Sequence, residues 1–325
     1  MNKYILFASL LTACGVQAQL SYAPIAGEEG STAIHKESTS FVAWAANVEV
    51  VRGYVQISDP TISHNGSNLA SYGVPADATG MPDNGAVSLG DGGTAVVTFA
   101  LPVANGDGYD FAVFENGTDT FLELAFVEVS SDGVNYFRFP SHSETQTETP
   151  IGGFGALDAR NLNNLAGKYK ADYGTPFDLS ELTNNELLDK DHITHIKLVD
   201  VVGALENEYA AYDSMGNKVN DPYPTPFYSS GFDLTGVGVI NQGVLGTKEN
   251  ATVNFSVYPN PADTVITVNT VNAEPAAVTL YDASGRIVGK ATTSDRIDVS
   301  ALSAGIYFVE VIQGAEKATK HIVIK

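Results

Sequence analysis

Apolar and polar residues alternate with a period of two over many short stretches of this 325-residue chain. Ala95, Val97, Phe99 and Leu101 fall on one side of one such stretch, because successive side chains of a strand point to opposite faces. Asp110-Phe-Ala-Val-Phe-Glu-Asn116, Leu122–Val129, Asn135–Phe139, His195–Val202 and Gly231–Ile240 read as further strands. Glycines that follow Asn or Asp punctuate them, at Asn65-Gly66, Asp91-Gly92, Asp107-Gly108 and Asp132-Gly133; such pairs tolerate positive φ and close tight turns. No stretch of residues 20–240 carries a long helical period, a repeat or low complexity. Antiparallel strands, short turns and one long excursion over residues 140–190 predict a jelly-roll β-sandwich. After Phe255 the spacing shortens to about seven brief strands, the size of a small immunoglobulin-like β-sandwich. The expected fold class is therefore all-β, a jelly-roll β-sandwich followed by a small immunoglobulin-like one.

The two ends and the join between these parts have their own signatures. Residues 1–18 combine a short positive start with an apolar run too brief to span a bilayer, which reads as an export signal peptide. Val16-Gln-Ala18 suits ordinary cleavage before Gln19, while Leu11-Thr-Ala-Cys14 is a competing lipoprotein-type site. Cys14 is the single cysteine, so the mature chain has no disulfide and rests on packing or metal. Residues 241–253 are small and polar, as a linker requires. The expected organisation is a signal peptide (1–18), a cargo domain (20–240), a linker (241–253) and a C-terminal module (254–325).

Charge divides the chain sharply. Residues 254–325 are near neutral, with six Lys/Arg and seven Asp/Glu. Residues 20–240 hold nine Lys/Arg against 30 Asp/Glu. Such an acidic surface repels phosphate backbones and anionic lipid, which argues against nucleic-acid partners and membrane insertion. It suits bound Ca²⁺, which prefers carboxylate and carbonyl oxygen, and it equally suits plain solubility outside the cell.

In the C-terminal module, Tyr258-Pro-Asn-Pro261 cannot lie within a ladder, since neither proline has an N–H to donate. Leu280-Tyr-Asp-Ala-Ser-Gly-Arg286, Leu302-Ser-Ala-Gly-Ile-Tyr307 and a basic-apolar end follow in order. Together these elements resemble the type A C-terminal sorting domain of the type IX secretion system. The resemblance implies export to the periplasm, passage through the outer membrane, and a partner in the type IX machinery. The expected location is secreted or at the outer-membrane cell surface.

In the cargo domain, Phe126-Val-Glu-Val-Ser-Ser-Asp-Gly-Val-Asn-Tyr-Phe137 resembles the strand-turn-strand of galactose-binding-like jelly rolls, such as discoidin-type and carbohydrate-binding modules. Ser88-Leu-Gly-Asp-Gly-Gly93, Asp110–Asn116, Val127–Gly133 and Gly231-Phe-Asp-Leu234 are similar to elements of uncharacterised bacterial secreted and cell-surface β-sandwich proteins. That likeness implies one contiguous domain and no particular activity.

Acids set among apolar neighbours are the informative ones, because an unpaired buried carboxylate is costly. Asp200 alternates onto the face of Ile196, Leu198 and Val202, and Asp233 onto that of Val237 and Val239. Glu123 and Glu128 fall on opposite sides of one strand, so at most one is expected to point inward. Asp110, Glu115, Asn116, Glu128 and Asp200 are the expected ligands of a structural Ca²⁺ or polar ligand, against backbone hydrogen bonding as the simpler role. Asp213–Asp221 is loosely like a calcium loop but lacks EF-hand spacing, and an ordinary Asx-rich loop is favoured. His192 and His195 face opposite sides of a strand and make a poor metal pair. Trp44 is expected in the core. Tyr72, Tyr109, Tyr173, Tyr212 and Tyr223, with the Pro222–Tyr228 loop, are the expected ligand-stacking rim, since rings in turns are cheap to order.

Signatures of serine, zinc, phosphate-loop and cysteine chemistry are missing from the sequence. The leading expectation is a non-enzymatic binding protein for a glycan or another small nutrient-type ligand. An extracellular polysaccharide hydrolase is the first alternative, needing two facing carboxylates in an aromatic cleft. An adhesion or matrix protein without a small-molecule site is the second.

Overall fold

The computed structural model describes residues 22–83, 85–243, 254–270, 276–292, 296–313 and 316–325. The expected signal peptide, and residues 244–253 of the expected linker, lie outside the described residues. The chain divides into two compact units, Met1–Leu245 and Gly246–Lys325. Both are built from antiparallel strands, as the alternation predicts.

In the first unit the strands are β1 (Ile34–His35), β2 (Ala43–Trp44), β3 (Asn47–Val51), β4 (Val87–Ser88), β5 (Thr94–Val103) and β6 (Phe111–Glu115). There follow β7 (Ala125–Ser130), β8 (Phe137–Arg138), β9 (His142–Ser143), β10 (Leu162–Asn163) and β11 (Tyr173–Phe177). Two long strands, β12 (Ile193–Asp200) and β13 (Asp233–Val239), complete it. One sheet runs β1-β11-β6-β13-β2, with β4 also on β13; the other runs β3-β5-β12-β7-β8. Both contribute to one core, which joins Phe111, Val113 and Val237 of the first sheet to Val97, Val127 and Leu198 of the second.

The period-two reading holds at Ala95 and Val97, which are buried, and weakens at Phe99 and Leu101, which are half-buried. The β12–β5 register shifts between Ile193 and His195, so the later part of β5 loses its match. Strands β6 and β13 are buried on both faces rather than alternating. On β13 this is possible because glycine leaves room: a Cβ on Gly238 would sit 2.6 Å from the Phe41 ring. Phe41 and Trp44 instead lie over Phe114, with ring centroids 4.9–5.6 Å apart. The outer side of the second sheet is covered by the long excursion, whose Leu157, Leu162 and Leu165 bury Leu122, Leu124 and Phe126. The turn glycines Gly66, Gly92, Gly108 and Gly133 all have φ between 69° and 82°.

The second unit has seven strands among the described residues: β14 (Phe255–Tyr258), β15 (Val265–Thr270), β16 (Ala277–Asp282), β17 (Ile287–Thr292), β18 (Arg296–Asp298), β19 (Gly305–Gln313) and β20 (Glu316–Ile324). They form a three-stranded sheet, β14-β15-β18, and a four-stranded one, β17-β16-β19-β20. Val268, Val278, Val309 and Ile322 share its separate core. Pro259 and Pro261 stand between β14 and β15, outside the ladders that their missing N–H groups would break.

Candidate functional site

Six carboxylates are buried inside the first unit, three at the ends of β6, β12 and β13 and three, Asp91, Glu123 and Asp221, on segments outside the strands. Glu115 closes β6 and is paired across the ladder with Leu234, the neighbour of Asp233. Asp233 opens β13 opposite Ser88 of β4, whose hydroxyl donates to it. Asp200 closes β12 opposite Ala125, two residues beyond Glu123. The backbone N–H of Leu124, next to Glu123, donates to Asp221 at 3.2 Å. Asp91 lies one residue from Gly92, whose N–H donates to Asp200 at 2.9 Å.

All six are buried, with exposures of 2% to 7%. Three are held by donors. Asp200 accepts from the N–H groups of Gly92 and Phe232, and Asp91 accepts from Ile57 N at 2.8 Å and from the Ser230 hydroxyl. Asp233 accepts from Ser88, with Asn116 a second donor. The other three have oxygen to spare. Asp221 takes a single donor at Oδ1, Glu123 takes none, and Oε2 of Glu115 is buried without a partner.

No Lys or Arg forms an ion pair with any of the six among the described residues, and burial is the largest cause of their raised pKa values, joined by repulsion at Glu115, Glu123, Asp200 and Asp221. Burial raises Asp200 to about 8, with Asp91 the next cause. Burial likewise raises Asp91 and Asp233 to about 6. Glu115, Glu123 and Asp221 are pushed well above the ordinary carboxylate range, by burial first and then by their acidic neighbours. At Asp233 the hydrogen bonds from Ser88 and Asn116 act the other way, followed by Arg52, whose guanidinium is bound to the carbonyls of Tyr72, Gly73 and Ser88.

The expected metal ligands divide on this map. Glu115 and Asp200 belong to the cluster, and Asn116 borders it through Asp233. Asp110 stands elsewhere, its oxygens taken by Gly106 N, Leu179 N and the Asn241 amide. Glu128 is on the second sheet between Arg138 and Lys197, at 2.7 and 2.9 Å. The expectation that at most one of Glu123 and Glu128 is buried is corrected: both are, because Glu123 precedes β7 and escapes its alternation. Asp91, Glu123, Asp221 and Asp233 were not among the expected ligands. The Asp213 loop is an Asx turn, with Asp213 accepting from the N–H groups of Ser143, Met215 and Asn217, while its last member, Asp221, reaches the cluster.

Aromatic rings form a second feature. Phe121, Phe154, Phe227, His64, Tyr228 and Tyr72 make a continuous strip, each ring 5.6–6.3 Å from the next. Phe154 is 77% and Tyr228 41% exposed. The strip is tied to the acids through the backbone. Arg52 holds the Tyr72 carbonyl, and Ser230, two residues past Tyr228, bonds Asp91. Of the five expected rim tyrosines, Tyr72 lies in this strip. Tyr223 is buried, with its hydroxyl against Ser58. Tyr173 packs on His35, Tyr109 is placed near Thr32 and Tyr169, and Tyr212 pairs with Lys218. The five do not form one rim, because ring position in turns says nothing of which turns meet. An open groove of about 380 Å³ lies apart, lined by Tyr136, Arg138, Pro140, Glu181 and Asn184 among others.

Family comparison settles the second unit. Residues 256–325 match the secretion system C-terminal sorting domain. The type IX resemblance read from Tyr258-Pro-Asn-Pro261 onward is thereby supported, and the tail implies export to the cell surface or beyond through the type IX machinery. No helix among the described residues is long and apolar enough to cross a membrane. No curated protein matches the chain. Among solved structures, a β-glucuronidase from Ruminococcus gnavus in complex with D-glucaro 1,5-lactone is 14% identical, covering 77% of this chain and 39% of that one, with a TM-score of 0.21. The Faecalibacterium prausnitzii β-glucuronidase is 13% identical, covering 86% and 44%, with a TM-score of 0.22. The chain thus spans less than half the length of these enzymes, and similarity this low carries no argument about activity.

Proposed function

We propose that the first unit is a non-enzymatic binding module, displayed or released outside the cell, that takes a glycan or comparable ring-bearing small ligand on its aromatic strip. The observation that carries this reading is the run of six rings in which Phe154 and Tyr228 are exposed. Aromatic faces offer large contact area at small entropic cost, and sugar rings present C–H faces that stack on them. Polysaccharide hydrolysis fits less well. It needs two carboxylates flanking a bond in an open cleft, about 5–10 Å apart, and the clustered acids here lie beneath the surface.

The test is calorimetric titration of the full chain with a panel of soluble oligosaccharides, repeated on Phe154→Ala and Tyr228→Ala. Each substitution is expected to weaken binding by roughly threefold to tenfold, the worth of one stacked ring. A panel without heat, or variants that bind as the parent does, would end the reading.

A further inference from the structure

The acid cluster asks for a counter-charge that the protein itself does not supply. Thirty acids on a solvated surface need no explanation, but six in one buried region do, since uncompensated buried charge is among the costliest arrangements in a fold. Three of the six are stabilised by backbone N–H or hydroxyl donors. The remaining three keep oxygen without a donor: Oε2 of Glu115, whose carboxyl is otherwise met by the N–H groups of Asn116 and Gly117, Oδ2 of Asp221, and both oxygens of Glu123.

Glu115 gives the independent sign of a missing partner. Its Oε2 is buried without a hydrogen-bond partner, although the backbone N–H groups of Asn116 and Gly117 serve the rest of the carboxyl and Asp233 is near. Beside it, the space that a side chain on Gly117 would fill is bordered by two oxygens. A Cβ there would stand 2.5 Å from Glu115 Oε2 and 2.8 Å from the carbonyl oxygen of Phe121. The same economy recurs around the cluster. A Cβ on Gly231 would meet Asp200 Oδ1 at 2.6 Å, and one on Gly167 would meet the carbonyl of Glu123 at 1.9 Å. Glycine at these points lets these oxygens approach closely, with the Gly90 backbone and the Phe232 ring beside them.

We propose that this region is a structural site for one calcium ion, held by the spare carboxylate oxygens of Glu115, Glu123 and Asp221 and ringed by Asp91, Asp200 and Asp233. Oxygen donors of this kind are hard ligands, suited to calcium rather than to the softer transition metals, and calcium tolerates irregular coordination that magnesium does not. Among the described residues no three acidic or histidine side chains are already gathered tightly enough to grip an ion. Binding therefore includes a turn of the Glu115 and Glu123 side chains, the two that no hydrogen-bond partner restrains at their free oxygens. This site is separate from the glycan reading and stands whether or not the aromatic strip binds sugar.

The test uses the full chain, stripped with chelator and then titrated with calcium chloride alone or magnesium chloride alone, read by melting temperature and by calorimetry. Calcium is expected to bind one per chain and to raise the melting temperature by about 5 °C or more at saturating concentration, with a smaller response to magnesium. Glu123→Gln and Glu115→Gln keep side-chain shape and are expected to lose most of that shift. Glu128→Gln, whose carboxylate already has two cationic partners, is expected to keep it. If either cluster variant fails to fold, the other and the parent titration decide. A parent chain indifferent to millimolar calcium would overturn the proposal. So would a full calcium shift retained by both cluster variants, which would place the ion elsewhere.

Discussion

Glu128 and the cluster around Glu115 are two answers to the same problem, a carboxylate folded away from water. Glu128 lies on the second sheet across from Arg138 and Lys197, its cross-strand partners in the registers β7–β8 and β7–β12. Burial pushes its pKa up, yet the two cations outweigh that and hold it below the ordinary glutamate value. In the cluster, burial raises all six acids, and acidic neighbours add to it at Glu115, Glu123, Asp200 and Asp221. Surface exposure alone does not separate them. Glu128 is 9% exposed and Asp233 7%. The difference lies in what surrounds each group: a ladder can bring cationic side chains opposite a carboxylate, whereas strand ends and the segments beside them bring in more acids and backbone.

The sharpest way to break this contrast is to remove a carboxylate that the backbone depends on. Asp200→Ala in chelator leaves the N–H groups of Gly92 and Phe232 buried without an acceptor. A loss of about 2–5 kcal/mol is expected from two such orphaned donors, measured by urea denaturation. A loss below 1 kcal/mol would mean that water reaches this region.

The pH response comes next, and the two regions should answer with opposite sign. Asp200 rises from 3.8 to about 8, and Asp91 and Asp233 to about 6. A raised folded value means that the cluster's contribution is fully present below about pH 3.8 and is lost as pH climbs through 6 and 8. Glu128 has a lowered value, so its contribution is present above the ordinary glutamate pKa and fades as pH falls through the folded one. In chelator the denaturation midpoint should therefore fall between pH 5 and pH 8. Asp200→Asn should flatten the upper part of that slope, and Glu128→Gln should alter only the acid limb. A midpoint that stays level from pH 5 to pH 8 would show that the cluster is solvated.

The smallest effect is expected from Glu128→Gln at pH 7. Its partners are 39% and 28% exposed and can turn to water, so a loss of about 1 kcal/mol or less is expected by urea denaturation. A larger loss would mean that the pair carries part of the sheet's packing, with Arg138 also lying 4.3 Å over the Phe126 ring.

Much of this was legible in the chain. The alternation at Ile196, Leu198 and Asp200 put an acid on the core face of a strand, and the structure has it there, buried at the end of β12. Glu115 is marked because, with Asp110 and Asn116, it brackets a strand whose ends meet loops. Asp91 and Asp221 were read instead as turn residues, within Gly-Asp-Gly and an Asx-rich loop, where an acid usually has a local reason to be. Glu123 was assigned to strand alternation because its neighbours are apolar, but the strand begins two residues later. The rim failed for a related cause: tyrosines in turns are easily seen, while Phe154 gives no sign in sequence that it meets Phe227.

Local chemistry fixed what local chemistry can reach. Period-two alternation gave the strands, glycine after Asn or Asp gave the turns, and Tyr258-Pro-Asn-Pro261 with the motifs behind it gave the sorting tail, because each acts through residues adjacent along the chain. Tertiary structure decided which acids share one dry volume and which has a cation across the ladder. Those choices join residues more than 100 apart, such as Asp91 with Asp200, and Coulomb energy depends on distance in space and on burial, neither of which a single stretch of sequence carries.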